Sequence, residues 1–324
     1  MIRRVLNISG KVLLALGVLV LLFAAYQLWG TGLAESHSQA TLRTQLDKQL
    51  PAGATARSQR IADHAGQQHG KVPPKTTTAT ATVAPTTPTP AIGQPIGTIQ
   101  IPNIGVDQVV VQGVGTSDLQ KGPGHYPGTP LPGQMGNASV AGHRTTYGHP
   151  FFDLNEVTPG QKIVITTAQG IFTYTATAQT VVSPTDVAVI DATTTPQLTL
   201  TTCNPRYSAS QRLVVKAALT SSVLFGPGGP SATTTTTAPA TGNQLAGTGT
   251  APTGLAGEQA TGSVGRWVEV VLLGLATVAV GVLVWLVARR VRHRWAVYVP
   301  GAVAVLVVLF FFFTVLSPLL PASY

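Results

Sequence analysis

The chain has 324 residues, of which 44% are hydrophobic and only 10% charged, with a single cysteine and a formal net charge of +9. One cysteine excludes an internal disulfide framework and any cysteine-cluster metal site, and we expect neither a metal nor a cofactor. The charge does not mark a nucleic-acid partner: residues 95–222 hold six basic and six acidic side chains, so the whole excess lies in termini, linkers and the flanks of apolar runs.

Residues 1–11 carry Arg3, Arg4 and Lys11 and precede Val12 to Trp29, an uninterrupted apolar run of 18 residues. As a helix that run is about 27 Å long, enough to cross a bilayer core. A cleaved signal peptide is the alternative, but its apolar region is usually only about 7–15 residues, so we expect an uncleaved anchor over 12–29. Residues 30–95 read as a stalk and linker. Ser36 to Leu50 extends the membrane helix, and Lys75 to Pro90 is too rich in Thr, Pro and Ala to fold.

Residues 96–222 have the composition of a domain. The segments 96–101, 108–114, 138–141, 162–167, 171–178, 197–203 and 213–219 are short, rich in Val, Ile and Thr, and bounded by turn residues, which predicts strands. Helical spacing is confined to pieces such as 116–120 and 150–154. Many short strands with frequent turns predict a small barrel or sandwich.

A lone cysteine outside the cell is open to oxidation, so its presence asks for a reason; a buried inert thiol is the bland one. Cys203 ends the strand Thr199-Leu200-Thr201-Thr202-Cys203 and is followed by Asn204-Pro205, a turn that leaves the sulfur at a strand end. An eight-residue loop separates it from Arg212, which opens the next strand, so two antiparallel strands bring thiol and guanidinium together. Thiol chemistry needs a proton acceptor and donor, usually histidine. His37, His64 and His69 fall in the stalk or linker and His293 in a membrane loop, leaving His125, His143 and His149. His143 follows the strand-like Asn137 to Ala141 and a glycine.

These residues resemble the sortase family. Thr199 to Cys203 is similar to its TLxTC signature, Ala141-Gly142-His143-Arg144-Thr145-Thr146-Tyr147-Gly148 to its histidine motif, and Arg212 stands where its arginine belongs. Gly122 to Thr129 (GPGHYPGT) resembles a stretch of actinobacterial class E sortases, as expected of a Gram-positive, actinobacterial source. The resemblance runs from about Ile96 to Thr220. It implies an all-β fold, a closed and mostly antiparallel barrel of about eight strands, here flanked by transmembrane helices. It also implies a cysteine transpeptidase, a thiol protease-like enzyme of cell-wall anchoring. Cys203 would attack the Thr–Gly carbonyl of an LAxTG or LPxTG sorting signal in a secreted protein. His143 would be acid and then base, and Arg212 would hold substrate and oxyanion. An amine of a peptidoglycan precursor or of a protein would accept the acyl group.

Tyr126, Thr201 and Thr202 are the candidate substrate contacts, with Thr202 offering hydroxyl or backbone to the oxyanion. His125 and His149 read as structural, and Arg206 as a solvated loop charge. The residues leave two alternatives: a thiol cell-wall peptidase that hands the acyl group to water, and a catalytically silent membrane-tethered scaffold.

Residues 223–266 form a second Thr/Ala/Gly-rich linker. It contains Leu245-Ala246-Gly247-Thr248-Gly249, itself an LAxTG string and a candidate self-recognition motif, either a tethered pseudosubstrate or a cleavage point. We favour the plainer reading, that such a linker contains the string by composition. Two further membrane helices follow, 267–288 and 295–320, separated by 289–294 with Arg289, Arg290, Arg292 and Arg294. Basic residues stay on the cytoplasmic side, so this loop and the amino terminus are both expected there, and the 96–222 domain outside a cell membrane crossed several times.

Overall fold

The computed structural model describes residues 10, 14, 17–67, 81–226, 229–230, 264–290 and 295–316. The chain divides into two compact units, residues 32–258 (with 323–324) and a second made of residues 1–31 with 259–322.

The first unit is built on eight strands: β1 (Pro95–Ile101), β2 (Val106–Gln112), β3 (Gly124–His125), β4 (Asn137–Ala141), β5 (Lys162–Thr167), β6 (Gly170–Val182), β7 (Gln197–Asn204) and β8 (Gln211–Gly226). Their spatial order is β6-β5-β1-β2-β3-β4-β7-β8, and β8 pairs back onto β6, which closes the barrel. Only β2–β3 and β4–β7 are parallel. Closure removes the exposed edges that an open sheet of this length would carry. The interior is filled by alternate residues of every long strand, among them Ile99, Ile101, Val110, Val140, Ile163, Ile165, Phe172, Tyr174, Leu198, Leu200, Leu213 and Val215.

The expected barrel and its mostly antiparallel pairing are present, but all-β describes the unit too loosely. Two helices pack on the outside of the barrel, α1 (Thr31–Asp47) and α2 (Ala54–Gln67). Residues 36–50 are therefore no free stalk. Leu42 and Leu46 of α1, one helical turn apart, bury against Val109 and Val111 on the outer face of β2. This explains why β2 is apolar on both faces instead of alternating. Gln39 fixes the dock: its Nε2 donates to the carbonyls of Val109 (3.0 Å) and Lys121 (2.7 Å), and its Oε1 accepts from the Val109 N–H at 2.7 Å. Helix α2 covers Val164 and Ile171 with Ala62. Its Ser58 hydroxyl donates to Gln100 Oε1 (2.7 Å) and accepts from Thr166 (2.6 Å).

The later part of the expected first linker is also laid on the barrel. Ala84 N–H donates to Gly133 O at 2.8 Å, and Thr82 O accepts from the Ser222 hydroxyl at 2.7 Å. Expected strand limits agree with the structure to within a few residues, except that β6 and β8 run longer and the two-residue β3 was not expected. Residues 116–119 form the short helix expected there, whereas 150–154 is turn leading into a short 3₁₀ segment.

The second unit contains α3 (Val264–Arg290) and α4 (Trp295–Leu316), both long and apolar enough to cross a membrane. The most apolar 18-residue windows within Val268–Arg290 and Val297–Leu316 have mean hydropathies of 2.8 and 2.7. Valine and leucine side chains all around α3 are exposed, among them Val271, Leu272, Leu275, Val278 and Leu283, as expected of surface meant for lipid rather than water. In the same unit Tyr26 packs against Leu309 and Phe313. Residues 1–9 of the amino terminus, most of 12–16, the second linker with Leu245 to Gly249, and 291–294 of the Arg-rich loop lie outside the described residues.

Candidate active site

The barrel brings Cys203, His143 and Arg212 to one end through strand register. In the antiparallel pair β7–β8, Cys203 stands directly opposite Arg212. On its other side, β4 runs parallel to β7 with Ala141 opposite Thr201, and Gly142 N–H donates to Thr201 O at 3.1 Å. His143 follows two residues after the end of β4, on the side of β7 away from β8. Parity does the rest. Leu198, Leu200, Leu213 and Val215 point into the barrel, so Thr201, Cys203, Arg212 and Val214 belong to the outer face. A small cluster of Leu119, Tyr126, Ala141, Val189, Ile190 and Val214 lines that same outer face.

The step from strand to histidine needs a glycine. A Cβ on Gly142 would stand 2.6 Å from the Phe151 ring, so any larger residue would push the start of the histidine loop off the barrel. Farther on, Tyr147, Gly148 and His149 adopt φ of 48°, 70° and 39°, a left-handed turn after which the Phe151 N–H donates back to His143 O at 3.1 Å. The Tyr147 ring lies against His143 with centroids 5.2 Å apart. His143 Nε2 is buried without a hydrogen-bond partner among the described residues.

Burial sets the protonation of both groups toward neutrality. It pushes the His143 imidazole down to about 4 and the Cys203 thiol above its ordinary range, the latter opposed by the charges of Arg212 and Arg144. Arg212 is itself buried and donates from Nη1 to the carbonyls of Ala209 (2.8 Å) and Gln211 (3.0 Å), which holds the guanidinium at the strand start.

Arg144 and Arg206 brace this end of the barrel in ways that residue patterns did not suggest. Arg144 Nη1 donates to Cys203 O at 3.1 Å and Asn204 Oδ1 at 2.7 Å, while Nη2 reaches Asn155 Oδ1 at 2.8 Å. It thereby ties the residue after His143 to the peptide of the cysteine. Arg206, expected as a solvated charge, instead pairs with Asp153 at 2.6 Å and lies 4.1 Å over the Phe152 ring. The only available signal for Arg144 was its place directly after the candidate histidine.

The other candidates are placed as follows. Tyr126 is wholly buried, its hydroxyl 3.0 Å from that of Thr201, which is also buried. Thr202 points inward and donates its hydroxyl to Gly142 O at 2.7 Å, so that proton is engaged in holding the peptide before His143. His125 is buried between Gln112 and Pro130 O, both at 2.9 Å, in keeping with a structural role. His149 is exposed and packs edge-on against Phe152. No group of three or more metal-binding side chains occurs among the described residues.

Residues 99–220 match the family model described as the sortase domain. Sortase SrtE1 of Streptomyces coelicolor is 30% identical over 222 residues, covering 64% of this chain and 54% of that protein. The chain thus spans about half the length of that relative. The sortase-like protein YwpE of Bacillus subtilis is 33% identical over 88 residues, 27% of this chain and 86% of that protein. Among solved structures, sortase E of Streptomyces avermitilis is 40% identical, covering 44% of this chain and 99% of that chain, with a TM-score of 0.38.

Proposed function

The chain belongs to the sortase family, and from that premise we propose that it is a membrane-anchored cysteine transpeptidase that cuts a sorting signal between Thr and Gly. The observation that supports the reading is strand register: Cys203 stands opposite Arg212 across β7–β8, and β4, paired with β7 on the other side, ends two residues before His143. Two apolar helices in the second unit support attachment to a membrane.

The chemistry then follows from what each group is. Cys203 passes its proton to His143 and its sulfur attacks the threonine carbonyl carbon, pushing the electron pair onto oxygen. Arg212, a fixed cation at the end of β8, stabilises that oxyanion, and it does so more strongly in a buried site than in water. His143 returns the proton to the glycine nitrogen as the C–N bond breaks, leaving a thioacyl ester on Cys203. An incoming amine loses a proton to His143, attacks the ester and releases the thiolate, which takes the proton back. For substrate we infer an LAxTG or LPxTG signal in a secreted protein, and for acceptor an amine of a cell-wall precursor or of another protein. Tyr126 and Thr201 would act from beneath the donor site. Thr202 would act through Gly142.

The test is the intact mass of the full chain after incubation with LAxTG and LPxTG peptides. The expected result is an adduct of the peptide's amino-terminal part on Cys203, absent in Cys203→Ala and discharged faster by an added amine. Cleavage that persists in Cys203→Ala, or discharge indifferent to amines, would overturn the transpeptidase reading; the second outcome favours a peptidase that uses water.

A further inference from the structure

One wall of the outer face beside Cys203 does not come from the sheet. It is a single 3₁₀ turn, Val187–Ile190, in the connection between β6 and β7, and its Val189 and Ile190 lie on Tyr126, Ala141 and Val214. That connection, residues 183–196, is long, rich in Thr, Pro and Asp, and exposed over most of its length. Connections of this length and composition have little of their own to hold one conformation.

What holds this one is Asn137, the first residue of β4, whose side chain is buried and unused by the chemistry above. Its Nδ2 donates to Val189 O and to Asp191 O, both at 3.1 Å, on either side of Ile190. Its Oδ1 accepts from the Thr199 hydroxyl at 2.7 Å. The two carbonyls can only accept, which puts Nδ2 on the side of the turn, and the Thr199 hydroxyl holds the amide there by donating to Oδ1. Thr199 is on β7, four residues before Cys203 and on the same face of the strand.

We propose that Asn137, oriented by Thr199, is a positioning residue for the acyl-donor site. It clamps the 187–191 turn onto the barrel so that the apolar wall beside Cys203 stands ready before substrate arrives. The proposal deepens the transpeptidase reading and rests on it for the identity of the substrate. A preformed wall spares the binding step the cost of ordering the loop, so the clamp belongs to donor binding and leaves the chemical step alone. The side chains it serves are the apolar ones that precede the scissile threonine.

The experiment uses the full chain in detergent, with Asn137→Ala and with Thr199→Val, a substitution of nearly equal volume that keeps the strand intact. Hydrogen exchange reports on residues 183–196 against β1 and β5 as internal reference, and steady-state kinetics with an LAxTG peptide separates KM from kcat. Expected are faster exchange confined to 183–196 and a KM raised about tenfold in Asn137→Ala, less in Thr199→Val, with kcat within about twofold, as the loss of two ordinary hydrogen bonds would give. Unchanged protection of the loop in both variants overturns the clamp. Lost protection with KM unchanged, or a fall in kcat alone, overturns its role in donor binding. A wild-type chain that forms no adduct on Cys203 overturns the transpeptidase reading instead, and the exchange measurement still decides whether the clamp exists.

Discussion

Thiol and imidazole at the barrel end are both biased toward their neutral forms, and this has a measurable consequence. The pair exchanges one proton internally, so neutral thiol with neutral imidazole and thiolate with imidazolium carry the same proton count and share one pH range. Below that range His143 gains a proton, and above it Cys203 loses one. With the imidazole pushed down to about 4 and the thiol pushed up, kcat/KM is expected to show a broad plateau. Its acid limb should lie well under the usual histidine value of about 6.5 and its alkaline limb above the usual thiol value of about 8.5. Arg144→Gln removes a cation that opposes the rise of the thiol and should shift the alkaline limb further upward. A plateau confined between the two ordinary values would contradict burial as the dominant cause. A second buried group acts on stability. Glu35 of α1 is almost fully buried, with Oε1 lacking a partner among the described residues, and burial raises its carboxyl from 4.5 to about 7 despite a hydrogen bond from Gln108. The folded state holds this proton more tightly than the unfolded chain, so the stability it lends is full below pH 4.5 and is lost as pH rises through 7. Glu35→Gln cannot ionise. In thermal unfolding of the detergent-solubilised chain it should therefore be more stable than wild type at pH 8, by about 2 kcal/mol, and the advantage should vanish near pH 4.5. A pH-independent difference would show that Glu35 stays neutral or is not buried in solution.

Helix α1 carries the clearest lesson about which elements sequence patterns reveal. Strands β1, β2 and β4 to β8 were legible because short segments rich in Val, Ile and Thr and bounded by turn residues report local geometry. Cys203 and Arg212 stand near the strand ends that their turn signals predicted, whereas His143 was singled out by the family resemblance. Helix α1 was legible as an extension of the membrane helix, but its dock on the barrel was not, since only Leu42 and Leu46 mark its apolar face, among Ser, Thr and Gln that read as stalk. Its anchor is a polar side chain whose partners lie 70 and 82 residues away, and no local pattern announces such a contact. The same holds for Asn137 and for the bonds of Arg144 to Cys203 and Asn204, whose partners are 52 to 62 residues distant. Two-residue β3 is too short to show a period at all. The dock of α1 is itself testable: Gln39→Ala leaves Val109 N–H and two carbonyls without their partner beneath the helix, at about 1 kcal/mol for each bond lost. The expected result is a destabilisation of about 2 to 3 kcal/mol in denaturant unfolding, with faster hydrogen exchange in α1 and β2 and unchanged exchange in β7 and β8. Uniform exchange across the barrel would mean that α1 does not unfold as a separate layer.

At the scale of the whole chain, charge and apolarity are segregated: the barrel domain is balanced, while apolar helices and arginines gather in the second unit. Arg289 and Arg290 close α3, and the Arg289 guanidinium lies 3.8 Å over the Trp285 ring, an aromatic and a cation together at the end of a span. If basic residues mark the cytoplasmic side, the loop after α3 and the barrel domain stand on opposite sides of the membrane. The single cysteine makes this simple to test. In a Cys203→Ala background, His293→Cys sits in the arginine-rich loop and Thr185→Cys on an exposed stretch of the barrel domain. A membrane-impermeant maleimide added to intact cells should label the Thr185→Cys chain at once and the His293→Cys chain only after permeabilisation. The reverse pattern would place the barrel in the cytoplasm, where secreted proteins could not meet Cys203 after export, and the anchoring role would fall with it. Labelling of both chains in intact cells would instead place the arginines outside. That would break the tie between charge and topology on which the orientation of residues 267–320 depends.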